Sequence, residues 1–487
     1  MKKLDIGLEV FLSDSQGATE AGRMVRAGTA RKLGPRLYTR NMLDTPEAIV
    51  SRNLWQVAAL LMPGGVVSYR TAFENRAAPD GSIFLSGSYP RQIALPGITL
   101  RQVVGNGPVT GDLPYMGTLY LASRPRTFLE NLLPSRHRGL IARSVGRAEV
   151  EVRLADMLRV GGEDALNRLR DEARVVAPQL GLEAQLRVLN SLVGALLRSR
   201  TADLQAPIAR AYATGEPYDS LRLPVFEALF TALRIGTWPV RSDAALSPAF
   251  QNAAFFDAYF SNYIEGTEFP VEEAIRIVFQ GEIPLSRPAD AHDVLGTYRL
   301  VGSRNEMQRT AASFEEFQLL LKRRHGIIME GRPEKRPGHF KEKNNQAGAT
   351  LFVAPELVLG TLRQGFGMYQ ALDDAFARAL FLMFLVAEVH PFTDGNGRIA
   401  RVMMNAELLA TGQTRIFIPA VFRNEYISAL KRLTNYHDPA GFLRMMTFAQ
   451  TFVAHIDFSD LESARKTLAE HNAFLDPSDD AKLHMPS

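Results

Sequence analysis

The chain has 487 residues, 46% of them apolar, no cysteine and a formal net charge of +4. That length predicts two to four domains and leaves ample apolar material for buried cores. The absence of thiols excludes disulfides and thiolate metal sites and fits a reducing cytoplasm, and so small a net charge makes its placement matter more than its sum.

The opening Met1-Lys2-Lys3-Leu4-Asp5 is interrupted by Asp5 and Glu9 before an apolar core of signal-peptide length forms. The longest apolar run, Ala379 to Ala387, is far short of a membrane span. A soluble, cytoplasmic chain is expected, with no membrane contact. Arg23, Arg26, Arg31, Lys32, Arg36 and Arg40 then occur with no acidic residue among them. After a turn, Ala18 to Arg26 reads as a helix, and Ala30 to Tyr38 as a strand-turn-strand around Gly34-Pro35. A helix followed by a short basic hairpin is the order of a winged helix, so 1–42 is expected to be a winged-helix-like segment that contacts DNA.

From Leu43 the pattern changes to an α+β module over 43–124, with a helix at Leu54 to Met62 and β-type runs at Ser82 to Leu85, Ile98 to Val104 and Thr118 to Leu121. Gly105-Asn106-Gly107 lacks the third glycine of a dinucleotide fingerprint and reads as a turn. A helical connecting region follows over 125–205. The largest segment, 206–456, holds the chemistry described next, and 457–487 reads as a closing helix and a frayed polar tail.

Within that segment, His390-Pro391-Phe392-Thr393-Asp394-Gly395-Asn396-Gly397-Arg398-Ile399-Ala400-Arg401 packs a histidine, a carboxylate, a flexible loop and two arginines into twelve residues. Ala375 to Val389 is apolar at helical spacing, and the pattern resumes through Arg398, Val402, Asn405 and Leu408, so the stretch is a helix-loop-helix. Gly395 and Gly397 allow backbone N–H groups to approach a ligand where a helix begins, which makes an anion hole. Arg398 and Arg401, three apart, are expected on one helical face, able to fork onto phosphate oxygens or onto a carboxylate. Asp394 is a candidate magnesium ligand and His390 a candidate general base. Together these describe phosphoryl or nucleotidyl transfer.

The stretch matches the pattern HPF-x-D-GNGR-x-x-R and resembles the signature of the Fic (Fido) family. The resemblance implies a mostly helical enzyme that uses Mg2+ and ATP and moves AMP onto a hydroxyl side chain of a target protein. His390 would be the base, Asp394 the magnesium ligand, Gly395, Asn396 and Gly397 the anion hole, Arg398 a phosphate clamp, and Arg401 the γ-phosphate ligand. Ser261-Asn262-Tyr263-Ile264-Glu265-Gly266 resembles the family's inhibitory motif, in which the glutamate pairs with the second signature arginine; Ser261, Glu265 and Gly266 would carry built-in inhibition. Pro337 to Pro355 resembles the family's flap, a β-hairpin that holds a target segment by main-chain pairing, with Asn345, Gln346, Ala347 and Gly348 over the nucleotide. Ala354-Pro355 stands where the family has Pro-Pro. Arg423-Asn424-Glu425-Tyr426 resembles the helix that follows the signature, with Tyr426 in the adenine pocket.

The fold expected is therefore multidomain: a mainly α Fic-fold catalytic domain with a β-hairpin flap, preceded by an α+β module that contains a winged-helix-like segment. Gly28 to Thr39 also resembles the opening of AbiEi-type antitoxin and regulator domains, as does Val67 to Ala72. The function implied is an autoinhibited Mg-dependent protein adenylyltransferase. The alternative is a DNA-binding transcriptional regulator or antitoxin-like protein that uses the Fic fold as a nucleotide sensor. Fic folds also transfer UMP or phosphocholine or remove AMP, so the choice of ATP follows the family majority and the inhibitory motif. The target protein is not legible, and members with this inhibitory arrangement often form homodimers.

Overall fold

The computed structural model describes residues 9–13, 18–135, 141–242, 248–348, 350–478 and 481–485. The opening Met1 to Asp5, the turn before Ala18 and parts of the C-terminal tail lie outside them. The chain divides into two units, Met1–Gly215 and Glu216–Ser487.

In the first unit, β1 (Val10–Leu12), β2 (Arg31–Gly34) and β3 (Leu37–Thr39) form an antiparallel sheet in the order β1-β3-β2, with the helix Ala18–Arg26 between β1 and β2. Arg36 turns the β2–β3 hairpin with a φ of 61°. No second helix separates β1 from β2 among the described residues, so the helix-turn-helix half of a winged helix is not seen there. A mixed six-stranded sheet follows. Its strands are β4 (Val66–Val67), β5 (Ser82–Gly87), β6 (Arg91–Leu95), β7 (Ile98–Val104), β8 (Leu113–Pro114) and β9 (Tyr120–Leu121), in the order β6-β7-β5-β4-β9-β8. The sequence reading missed β4, β6 and β8; β4 and β8 are two residues each, too short to carry an alternation signal.

Arg126 is fully buried in this unit and bonds to Asp112 and Glu130, while the carbonyls of Asn106 and Gly107 accept from its other nitrogens. The Gly-Asn-Gly stretch is thus a turn held by a buried guanidinium. The helix Arg147–Leu180 bends at Gly162, whose φ is 66°, and packs with Glu183–Leu196 around Leu154, Leu166, Leu169, Leu189 and Leu192.

The second unit is built around the helix Ala375–Val389. It is apolar except for Arg378 and Glu388, and 12 of its 15 residues are buried, as befits a helix enclosed by others. Asp374 caps its start by accepting from Ala377 N–H at 2.8 Å. It packs against Val358–Gln370, Leu223–Ile235 and the signature helix Asn396–Ala410. The helix Ala249–Ile264 is equally enclosed, with 14 of its 16 residues buried. Phe260 stacks on Phe417 and Phe474 at 5.3 and 5.2 Å, and Phe256 meets Phe458 at 6.1 Å. A hairpin of β10 (Gln346–Ala347) and β11 (Thr350–Leu351) precedes the Val358–Gln370 helix. No helix among the described residues is long and apolar enough to cross a membrane.

Candidate active site

The helix Ala375–Val389 ends because His390 adopts a left-handed backbone, φ 53° and ψ 59°, which turns the chain into the signature loop. Its Nδ1–H donates to the Ala387 carbonyl at 3.2 Å, leaving Nε2 as the lone-pair nitrogen. Phe352 of the hairpin stacks on the imidazole at 3.7 Å. Burial pushes the imidazolium down to about 4, so the ring is neutral at physiological pH.

The loop is tied from within and from outside. Asn396 Oδ1 accepts from Phe392 N–H and its Nδ2 donates to Phe392 O, both at 2.9 Å. Asn345 Nδ2 donates to the same carbonyl at 2.9 Å, and Lys341 Nζ donates to Asn345 Oδ1 at 2.6 Å. Gly395 takes a left-handed φ of 72° and starts the signature helix. His325, fully buried, stacks flat on Phe392 at 3.6 Å, donates to the Asp394 carbonyl at 3.0 Å, and accepts from Gly338 N–H at 2.9 Å. It joins the segment leading into the hairpin to the loop. The sequence reading passed over His325 because a histidine inside an amphipathic helix carries no distinguishing spacing.

The two signature arginines diverge. Three helical residues leave them roughly 60° apart around the axis, and each is taken by a different carboxylate. Arg401 donates through Nε to Ser261 Oγ at 2.9 Å, and through Nη2 to Ser261 O and to Glu265 Oε1, both at 2.7 Å. Arg398 Nη1 lies 2.6 Å from Asp293 Oδ2, on the helix Pro288–Val301. Of the two acceptors expected for the pair, phosphate oxygens or a carboxylate, each arginine meets a carboxylate here.

Glu265 caps the Ala249–Ile264 helix and sits directly over the anion loop: a Cβ at Gly397 would meet its Oε1 at 2.1 Å. Gly266 follows with a φ of 85° and lets the chain leave the helix. Asn405, one turn after Arg401 on its helix, donates through Nδ2 at 2.9 Å to the buried Asp257, one turn before Ser261 on the other, so polar contacts run along both helices from Glu265 to Asp257.

Glu265, Gly397, Arg401, His390, Phe352, Ala347, Thr350, Tyr426 and Glu388 line one cleft of about 240 Å³. Tyr426 is buried under it, with the Arg401 guanidinium 5.9 Å from its ring. Gln346 and Gly348 belong to the hairpin above but do not line the cleft. Arg222 bonds to Glu388 and to the carbonyl of Leu351 on β11, and Thr434 Oγ1 donates to Glu388 Oε2 at 2.6 Å. That anchor of the hairpin was invisible in the sequence, since Arg222 and Glu388 are 166 residues apart.

Asp394 accepts from Gly395 N–H at 2.7 Å through Oδ1, and its side chain is 40% exposed. No cluster of three or more histidine or carboxylate side chains that would hold a metal occurs among the described residues. The protein thus offers one carboxylate at this point, which fits magnesium, an ion that keeps waters and takes its remaining oxygens from phosphates.

A mostly helical unit thus carries on one loop a neutral histidine, a helix start and an exposed carboxylate. The chain belongs to the Fic/DOC family. The model described as Fic/DOC family matches residues 318–408. A Fido domain-containing protein of Dictyostelium discoideum is 30% identical over 106 residues, 21% of this chain and 74% of that protein. Protein adenylyltransferase fic-1 of Caenorhabditis briggsae is 26% identical over 224 residues, 42% of this chain and 41% of that protein, so the match spans less than half of either. Among solved structures, a Fic domain containing signaling protein from Bacteroides thetaiotaomicron aligns over 50% of this chain and 97% of that one, at 17% identity and a TM-score of 0.38.

Proposed function

We propose that this chain is a protein adenylyltransferase held in an inhibited state by Glu265. The observation that carries the reading is the meeting of His390, the Gly397 anion loop, Arg401 and Glu265 in one cleft. In the reaction, a hydroxyl oxygen of the target attacks the α-phosphorus of ATP, the bond to the departing pyrophosphate breaks, and the hydroxyl proton goes to His390 Nε2. The neutral imidazole is in the right state to accept it. The free N–H groups at the start of the Asn396–Ala410 helix face the phosphates, and Asp394 holds the magnesium ion, which when bound supplies charge neutralisation. Asn345 to Gly348 cover the nucleotide, Tyr426 borders the adenine, and the β10–β11 hairpin pairs with the target segment.

Glu265 inhibits by occupying Arg401 and the space above Gly397, both of which the γ-phosphate needs. Intact-mass measurement of wild type, Glu265→Gly and Glu265→Gly/His390→Ala after incubation with magnesium and ATP tests this. The expected result is a gain of one AMP in Glu265→Gly alone. No gain in any of the three overturns the ATP reading, and equal gain in wild type overturns the inhibition.

A second activity, DNA binding, is favoured by the exposed Arg23 and Arg26 on the helix Ala18–Arg26 and by exposed Lys32 and Arg36 on the hairpin beside it. A duplex mobility shift that weakens steeply with salt is the expected outcome for the first unit's basic face. Absence of any shift at low ionic strength removes this reading.

A further inference from the structure

We propose that Asp293 is a positioning residue that presents Arg398 to the anion loop, and that Arg332 keeps this pair from losing its positive charge. The inference rests on the adenylyltransferase reading of the cleft.

Two carboxylates meet the two signature arginines, and their surroundings differ. Glu265 stands at a helix end with 28% of its side chain exposed, so it can swing away. Asp293 is 1% exposed on the inner face of a packed helix, and it cannot leave without unpacking that helix. A carboxylate fixed in this way does not compete for a ligand; it orients the cation bound to it. Asp293 Oδ2, 2.6 Å from Arg398 Nη1, also accepts from Arg332 Nε at 2.8 Å. Arg332 Nη2 in turn donates to Asp290 Oδ1 at 2.5 Å, and Asp290 Oδ2 accepts from Arg287 Nε at 2.8 Å.

Three guanidiniums therefore share two aspartates, and one positive charge is left over. Arg398 is the member of the cluster on the signature helix, with Nη2 3.6 Å from Asp394 Oδ1. Its Nε and Nη1 are both buried without a hydrogen-bond partner among the described residues, so Asp293 meets Nη1 as an ion pair and donors are left open on the guanidinium. Held at Nη1, the guanidinium reaches the loop already oriented, and no reorganisation is needed when phosphate arrives.

The test is AMP transfer by the full chain in the Glu265→Gly background, with and without Arg398. Asp293→Asn should lower kcat/KM for ATP at least ten-fold, and the loss should vanish, to within two-fold, when Arg398 is already alanine. A residue that merely supported the fold would cause the same loss in both backgrounds, and that result overturns the proposal. So does unchanged or increased transfer in Asp293→Asn. Should that variant fail to fold, Arg332→Gln is expected to lower kcat/KM at least three-fold, again only while Arg398 is present; no change there counts equally against the idea. If the Glu265→Gly parent itself incorporates no AMP, the adenylyltransferase reading has failed instead.

Discussion

Glu265 Oε1 accepts from Arg401 Nη2 at 2.7 Å while lying where a Cβ on Gly397 would stand. One carboxylate thus covers a cation and a backbone cradle together. In Gly397→Ala the new methyl would meet Glu265 Oε1 at 2.1 Å and Arg401 Nη1 at 3.1 Å, with the backbone itself unstrained. Gly397→Ala should cost about 1.5–3 kcal/mol, because Glu265 must move off Arg401 and its charged hydrogen bond is lost. In the Glu265→Gly background the cost should fall below about 0.5 kcal/mol, because the two positions are in contact and couple. Denaturant unfolding of the four variants measures that coupling, and additive costs would contradict the geometry.

The helix that carries Glu265 is core and not a detachable arm, with 14 of 16 residues buried against Phe417, Phe458 and Phe474. Deleting 249–264 should therefore unfold the second unit, while Glu265→Gly, at the helix end, should leave it folded with a lowered melting temperature, since buried Arg401 loses its carboxylate but keeps its bonds to Ser261. Circular dichroism melts of the two proteins decide it. A folded deletion variant would mean that this helix is dispensable to the unit.

With its imidazolium pushed down to about 4 by burial, His390 stays neutral through the range in which an ordinary histidine would protonate. The kcat/KM of the Glu265→Gly enzyme, which reports the free enzyme, should stay flat from pH 8 down to about pH 5. An acidic limb centred near 6.5 would show that the histidine is more hydrated than this geometry implies.

Stability should respond to acid in a predictable direction. His325, like His390, is pushed down to about 4 by burial from an ordinary 6.5. Between those values the unfolded chain binds more protons, so stability falls as pH drops from about 6.5 toward 4, by roughly 1.4 kcal/mol per pH unit for each histidine at the steepest. Burial pushes Asp257 up to about 6 from 3.8, which has the opposite sign: the folded state binds the extra proton, and stability rises as pH falls through that window. For these three groups together the acid slope should be close to that of one histidine. Asp257→Asn removes the opposing contribution and should nearly double it, read from urea midpoints between pH 4 and 7.

Arg222→Ala should be among the most damaging changes in the second unit outside the loop. It leaves Glu388, 3% exposed, without its cation and frees the Leu351 carbonyl of β11. Breaking a buried pair from one side costs about 3–5 kcal/mol. Adding Glu388→Gln should recover part of that loss, since the orphaned charge is then gone. Thermal melts of the single and double variants measure it, and no recovery would place the loss in the hairpin contact alone.

Much of the site was legible in the sequence because it is local. The segment from His390 to Arg401 is a helix end, a turn and a helix start, and its glycines, asparagine and arginines act through backbone geometry that twelve consecutive residues specify. Ser261 and Glu265 were legible only through the resemblance of Ser261 to Gly266 to the family's inhibitory motif; by itself Glu265 reads as a solvated glutamate near a helix end. The sequence also determined the enclosed helix Ala375–Val389, since the apolar run Ala379 to Ala387 covers more than two turns and leaves no wet face there.

What the tertiary structure alone decided is the partner of Arg398. The resemblance already set Glu265 against Arg401, but nothing in the sequence pointed to Asp293, on a helix more than a hundred residues upstream of Arg398. His325 bolting the loop to the segment before the hairpin, and Arg222 joining β11 to Glu388, are of the same kind. Buried polar groups must find partners wherever packing brings them, and packing pairs residues by spatial neighbourhood, for which a single chain's periodicity holds no record.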